Sequence, residues 1–378
     1  KWFREGDGRM TFNGPVTFGS ANSGVFAFLP EDAIAADTIL EVRNLKVDIK
    51  VDDYILNAVR GVDFSVKRGE SLGLVGESGC GKSVTSKAVL GINPSNCTPS
   101  GELLFRTKSG AVIDLLKLEY DGEFYRGLRG SEMAMIFQEP MVAFSPLYTV
   151  GNQLMEIITL HEPKTTKAEA KARTIEMLKK VGIANPEKRI NQYPHEFSGG
   201  MLQRALIAMM LLLNPDFLVA DEPTTALDVT IQAQILELMM ELKKKLDMAI
   251  ILITHDLGVV AGMCDRINVM YAGKVVESGT ANQVFYEPKH EYTKGLLTSI
   301  PNIANDEKTR LCPISGTPVD LLAMPEGCAF APRCKNARKI CLTEKPEMMD
   351  FGGGHCAACW MNVLAEMQNN KSEVGENE

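Results

Sequence analysis

Residues Gly76-Glu77-Ser78-Gly79-Cys80-Gly81-Lys82-Ser83 carry the strongest chemical signal in the sequence. They fit G-x-x-x-x-G-K-[ST] at every fixed position, a spacing that lets a loop wrap around phosphate. The three glycines let successive backbone N–H groups turn inward toward anionic oxygens, and the helix that follows adds the positive end of its dipole. Lys82 is long enough to reach the β- and γ-phosphates, Ser83 offers a hydroxyl to Mg²⁺, and Val84 is counted with the cradle as the helix begins. Ser71-Leu72-Gly73-Leu74-Val75 reads as a buried strand before the motif, and residues 84–90 read as the helix after it. Without those flanks the glycines would serve an ordinary turn; with both present, a nucleotide is the expected ligand.

Further residues could complete such a site. Residues 217–220 form a short apolar run that ends in paired carboxylates. Asp221 can hold Mg²⁺ through water, while Glu222 can polarise a water toward the γ-phosphate. Residues 250–253 repeat the design and lead to His255, whose imidazole could contact the same phosphate. Residues 133–137 read as another strand, after which Gln138 could coordinate Mg²⁺ or the attacking water. Ser198, Gly199 and Gly200 open an apolar helix and make a second anion-binding point. Each also has an ordinary reading: surface acids, a strand-capping histidine, a loop glutamine, a capped helix start. Tyr54, between two alternating segments, either stacks on adenine or sits as a solvent-edge loop tyrosine.

Positioning these residues takes strands and helices together. Residues 40–47 and 58–66 alternate as half-buried strands do, and residues 101–105 read as a further strand. Residues 150–182 are rich in Lys and Glu with apolar residues at helical spacing, a helical insertion with a solvated face. At 378 residues, 45% hydrophobic and 23% charged, the chain suits two domains. Residues 1–36 show no sustained period and are set apart as an unassigned N-terminal arm or tag. The net charge of −8 argues against general nucleic-acid binding, because a polyanion binds a basic surface. The longest apolar run, residues 205–213, is far short of the roughly 20 residues that cross a bilayer as a helix. Residues 1–30 lack the compact apolar core of a secretory signal. The expected place is the cytoplasm or the cytoplasmic face of a membrane.

Gln138, Phe197-Ser198-Gly199-Gly200-Met201, Leu218-Val219-Ala220-Asp221-Glu222, Ala226-Leu227-Asp228 and Thr254-His255 occur in the order and approximate spacing of ATP-binding-cassette (ABC) ATPases. The chain resembles that family over residues 40–297. The resemblance implies an α/β fold, an ABC-type P-loop NTPase domain over 37–297 with an antiparallel β subdomain and a helical subdomain over about 140–215. A Cys-rich extension over 298–365 and a polar tail over 366–378 follow. It makes Gln138 the Q-loop residue, Ser198, Gly199 and Gly200 the signature that closes on a partner's nucleotide, Asp228 the D-loop acid and His255 the switch histidine. Phe197 and Met201 depart from the general LSGGQ signature at its first and fifth positions.

Residues 199–204, 221–232 and 288–297 are similar to the dipeptide and oligopeptide importer branch. That resemblance implies an ATPase using ATP and Mg²⁺ at the cytoplasmic face of a prokaryotic cell membrane. Its partners would be a second, homologous ATPase subunit, two transmembrane permease subunits and, indirectly, an extracytoplasmic solute-binding protein, with no nucleic acid. ATP would be sandwiched between one subunit's phosphate loop and the other's signature. Nickel and oligosaccharide importers share the cassette, and soluble cassette ATPases act on nucleic acid or ribosomes. The paired cassettes, coiled-coil insertions or basic face expected of the soluble class are not seen in the sequence.

Of nine cysteines, six crowd into the last part of the chain. In a reducing compartment such crowding favours metal over disulfides. Cys328, Cys334, Cys341 and Cys359 give C-x5-C-x6-C-x17-C, which fits closely paired zinc ligands poorly. The tails of some peptide-importer ATPases bind a [4Fe–4S] cluster, so the resemblance implies that cofactor here. Zn²⁺ is the alternative, through the tight pair Cys356 and Cys359, and Cys312 stands outside both sets.

Overall fold

The structure, a computed structural model, describes residues 2–4, 10–12, 28–120, 122–138, 140–224, 228–299 and 314–363. Ala226, Leu227, Cys312, the tail over 366–378 and most of the arm over 1–36 lie outside the described residues.

Among the described residues, the central sheet orders its strands Met349–Asp350, Cys356–Ala357, Lys274–Thr280, Arg266–Tyr271, Ser71–Val75, Ala249–Ile253, Phe217–Asp221 and Met133–Ile136. From Arg266–Tyr271 onward they run parallel. The sequence of these strands explains the arrangement: Ser71–Val75, Phe217–Asp221 and Ala249–Ile253 are buried at every position, as strands covered on both faces must be. Leu72, Leu74, Val219 and Ile251 pack with Val59, Val62 and Phe105 of a second sheet. Val75, Leu218, Ala220 and Leu252 belong to another core, with Leu154, Leu202 and Leu206 from helices Val150–His161 and Gly199–Leu211.

The second sheet is antiparallel throughout, ordered Phe28–Leu29, Val112–Asp114, Cys97–Arg106, Thr38–Val51 and Tyr54–Lys67. The segments expected at 40–47 and 58–66 are the middles of one long hairpin. Its register shifts between Val42 and Leu45, where Asn44 takes a φ of +46°. A left-handed residue there interrupts the alternation, so periodicity alone gives shorter strands. The insertion over 150–182 is two helices, Val150–His161 and Lys167–Lys180. Each is opened by a threonine, Thr149 or Thr166, whose hydroxyl accepts a backbone N–H three residues on.

The strand that feeds the phosphate loop is fastened at its start. Ser71 N–H donates to Asp265 Oδ2 at 2.8 Å, and the buried Lys243 Nζ donates to the same oxygen at 2.8 Å. At the sheet's other edge, Cys356–Ala357 pairs antiparallel with Lys274–Thr280 through Ser278 and Glu277. The buried His355 Nε2 lies 2.9 Å from Glu277 Oε1, so the C-terminal extension is tied into the central sheet. Among the described residues, no helix is long and apolar enough to cross a membrane.

Candidate active site

Parallel strands all end on one edge of a sheet, and ligands of such sheets bind beyond those ends. Here Val75 runs into the phosphate loop, Ile136 leads to Gln138, Asp221 to Glu222 and Ile253 to His255. Residues far apart in sequence are therefore delivered side by side.

The loop depends on glycine at two points. Gly76 has a φ of +150°, and a Cβ there would stand 2.2 Å from Met270 O. At Gly81, with a φ of +103°, it would stand 2.8 Å from Ala58 O. Any side chain would push the loop off the neighbouring backbone. Ser78 and Gly79 form the exposed crown, and Cys80 is buried, its thiol pushed up by burial. The helix Lys82–Val89 starts two residues before the expected 84–90 and leaves Val84 half-buried in its first turn. Lys82 is 6% exposed, and its Nζ donates to Gly76 O at 2.8 Å and Glu77 O at 3.0 Å.

Ser83 Oγ donates to Asp221 Oδ1 at 3.0 Å. Burial pushes the Asp221 carboxyl up, and the Ser83 hydrogen bond works against that shift. A hydroxyl beside a carboxylate is an all-oxygen donor pair that fits a hard cation such as Mg²⁺. Next in the chain, Glu222 adopts a φ of +46°, a conformation a non-glycine residue holds only where surroundings fix it. Its N–H donates to Ile253 O at 2.8 Å. Its Oε2 accepts from Gln138 Nε2 at 2.9 Å, and its Oε1 lies 3.2 Å from His255 Nδ1. The glutamine, the glutamate and the histidine singled out from sequence meet on one carboxylate.

The other candidates are held differently. Ser198 Oγ accepts from Met201 N–H at 3.3 Å and caps helix Gly199–Leu211. A Cβ at Gly199 would meet nothing within 4 Å, whereas at Gly200 it would stand 2.8 Å from Ile231 Cγ2. Asp228 caps the adjoining helix Val229–Leu246, accepting from Ile231 N–H at 2.9 Å. Tyr54 opens the strand Tyr54–Lys67 and is 66% exposed, as either of its two readings requires.

Two residues at the loop were not singled out from sequence. Glu77 N–H donates to Tyr292 Oη at 2.8 Å, and the Glu77 carboxylate takes both arms of Arg333, at 2.5 and 2.8 Å. The one available signal was the segment 288–297, which contains Tyr292. Nothing local marks a lone arginine 256 positions from its partner.

The ABC transporter family profile matches residues 59–225, and that of the oligopeptide/dipeptide transporter C-terminal region matches residues 276–341. The chain is 49% identical over 327 residues to the dipeptide transport ATP-binding protein DppD of Bacillus subtilis, covering 86% of this chain and 95% of that protein. It belongs to the dipeptide/oligopeptide branch of the ABC transporter ATP-binding subunits. Within that branch it is 45% identical over 328 residues to the oligopeptide transport ATP-binding protein OppD of Escherichia coli, covering 87% of this chain and 94% of the relative. The ABC cassette fold is shared with solved structures. The dimeric bacterial ABC transporter cassette MJ0796 aligns at a TM-score of 0.57 and 25% identity, over 64% of this chain and 99% of its own. The cbiO1 protein from Clostridium perfringens, part of the ABC transporter complex cbiONQ, aligns at 0.54 and 30% identity, over 66% and 92%.

The expected iron–sulfur cluster is corrected, and so is its zinc alternative. Among the described residues, no three or more His, Cys, Asp or Glu side chains form a group that could hold a metal ion. Cys328, Cys334, Cys341 and Cys359 border one cavity of about 20 Å³, room for about one water. Burial pushes the Cys328 and Cys359 thiols up and that of Cys334 up to about 11. Cys328, Cys334 and Cys359 also touch or border the apolar interior. Cys356, the other half of the supposed zinc pair, lies in the edge strand Cys356–Ala357. Crowding in the sequence here amounts to packing.

Proposed function

We propose that this ABC-family chain is the ATP-hydrolysing subunit that powers import of di- and oligopeptides, working at the cytoplasmic face of a prokaryotic membrane beneath two transmembrane permease subunits. Its cassette is read as residues 37–297, with the helical part over about 140–215, and the extension as 298–365. The observation that carries the reading is the meeting of Gln138 and His255 on Glu222, immediately beside the Ser83–Asp221 pair.

In this reading the loop amides and Lys82 hold the phosphates, with Glu222 placed to act on a water at the γ-phosphorus. The water oxygen bonds to phosphorus as the bond to the bridging oxygen of the leaving ADP breaks, and Glu222 takes the proton. His255 orients the γ-phosphate, and Gln138 links that site to the surface where the permease docks. Exposed apolar residues Val142, Leu147 and Tyr148 follow Gln138 closely in sequence and are read as part of that contact. Ser83 and Asp221, with Gln138, would hold Mg²⁺, which when bound neutralises phosphate charge.

A second, homologous ATPase subunit completes the site. Its Ser-Gly-Gly turn covers the nucleotide held here, while Ser198, Gly199, Gly200 and Asp228 serve the nucleotide held there. Closing on ATP and reopening after hydrolysis give the permease two states.

Substituting Glu222→Gln tests the reading in the complete transporter. ATP binding should persist, while hydrolysis and peptide uptake fall by about 10²–10⁴-fold, the usual cost of losing a general base. Unchanged turnover at this chain's site would refute it.

A further inference from the structure

We propose that Arg333 of the C-terminal extension is a positioning residue for the phosphate loop, neutralising and orienting Glu77 so that the loop can accept a polyphosphate. This inference rests on the reading of residues 76–83 as the ATP site. Glu77 places a carboxylate inside a loop whose ligand carries several negative charges. Left alone, that carboxylate would repel the phosphates and swing the loop toward solvent.

The structure holds Glu77 at three places. Its N–H donates to Tyr292 Oη at 2.8 Å, its carbonyl accepts from Lys82 Nζ at 3.0 Å, and its carboxylate is gripped by both Arg333 Nη atoms. A forked, charge-assisted pair fixes direction as well as distance. The Arg333 side chain is only 5% exposed, so solvent screens the pair little. Arg333 is itself aimed: its Nε donates to Ser315 O at 3.1 Å, and its guanidinium lies 6.0 Å from the centre of the Tyr271 ring. Tyr271, Tyr292 and Phe330 form one aromatic cluster beneath it, with Tyr271 and Tyr292 centroids 4.6 Å apart. The turn Ala331–Arg333 thus rests, through Phe330, on Tyr271 of strand Arg266–Tyr271 and Tyr292 of helix Glu291–Thr298. Order in the extension and readiness of the loop are coupled, and coupling of this kind works in both directions.

The test measures ATP affinity and steady-state ATPase in the complete transporter. Arg333→Ala should raise KM and Kd for MgATP by about tenfold or more with kcat changed less than about twofold, because the loop is misplaced while Glu222 is untouched. The double variant Arg333→Ala with Glu77→Gln should recover affinity to within about threefold of the parent, since the uncompensated carboxylate is gone. An arginine that merely stabilised the extension would give no such recovery. Unaltered affinity in a folded Arg333→Ala protein, or a double variant as weak as the single one, overturns the proposal.

Should Arg333→Ala not fold, the parent protein decides. Trypsin can cut after Arg333 only once that side chain leaves Glu77, so MgATP should slow cleavage of the bond to Cys334 by about tenfold. No change with MgATP overturns the proposal. Lys82→Ala separates the two levels: if it binds ATP like the parent, the site reading itself fails, and if it loses ATP while Arg333→Ala does not, only this inference fails.

Discussion

Glu222 touches Gln138 and His255 and stands beside the Ser83–Asp221 pair, whereas Ser198 gives its hydroxyl to its own helix and Gly199 faces open space. The side chains of the first region find their polar partners within the chain. Its polar groups already hold one another, because adjacent parallel strands deliver them to the same sheet edge. The second is a capped helix start with bare backbone turned outward, and the only polar partners described for it are local. The difference is what the proposed pairing requires, in which each chain completes one half of a site and presents the other.

The contrast can be broken by substitutions that should act on one region alone. The largest effect is expected at Lys82, whose ammonium is nearly buried at the loop. Lys82→Ala should weaken ATP binding by about a hundredfold or more, the order found when one member of a buried charged pair is removed. Equilibrium binding of MgATP to the chain alone suffices to check this, since no partner is involved. A smaller and more selective effect is expected at Gly199. Added bulk there meets no atom of the same chain, and alanine is the better helix former, so Gly199→Ala should keep or raise thermal stability, within about 1 kcal/mol. ATP binding to the isolated chain should be unchanged. In the complete transporter, ATPase activity should fall by about tenfold, because the turn can no longer close over the partner's nucleotide at the same distance. Loss of ATP binding by the lone Gly199→Ala chain would mean that the two regions are not separate.

How much of this could be read in advance depended on how local each feature is. The phosphate loop is contiguous, and its geometry is dictated by glycines at fixed spacing, so residues 76–83 and the strand Ser71–Val75 stand where the sequence puts them. Asp221, Glu222, Gln138 and His255 were legible as strand-end residues and through the family resemblance; that they meet is a property of strand order, which periodicity does not encode. Asn44 shows the limit for strands, because one left-handed residue broke the alternation and hid the length of the hairpin. The tail shows two opposite failures. Four cysteines suggested a ligand set by residue type, yet they border a space of about 20 Å³, Cys341 and Cys359 buried and Cys328 and Cys334 half-buried. Arg333 suggested nothing, yet it reaches Glu77 across most of the chain. Contacts of such long range are set by packing, and no motif announces them.

The claim that one region is complete and the other awaits a partner is tested most directly by amide hydrogen exchange, with and without MgATP, on the Glu222→Gln chain alone and in the assembled transporter. In the lone chain, MgATP should slow exchange over residues 76–83 and leave residues 198–201 unchanged; in the assembly, both segments should slow together. Protection of 198–201 in the lone chain, or its absence in the ATP-loaded assembly, would contradict the account.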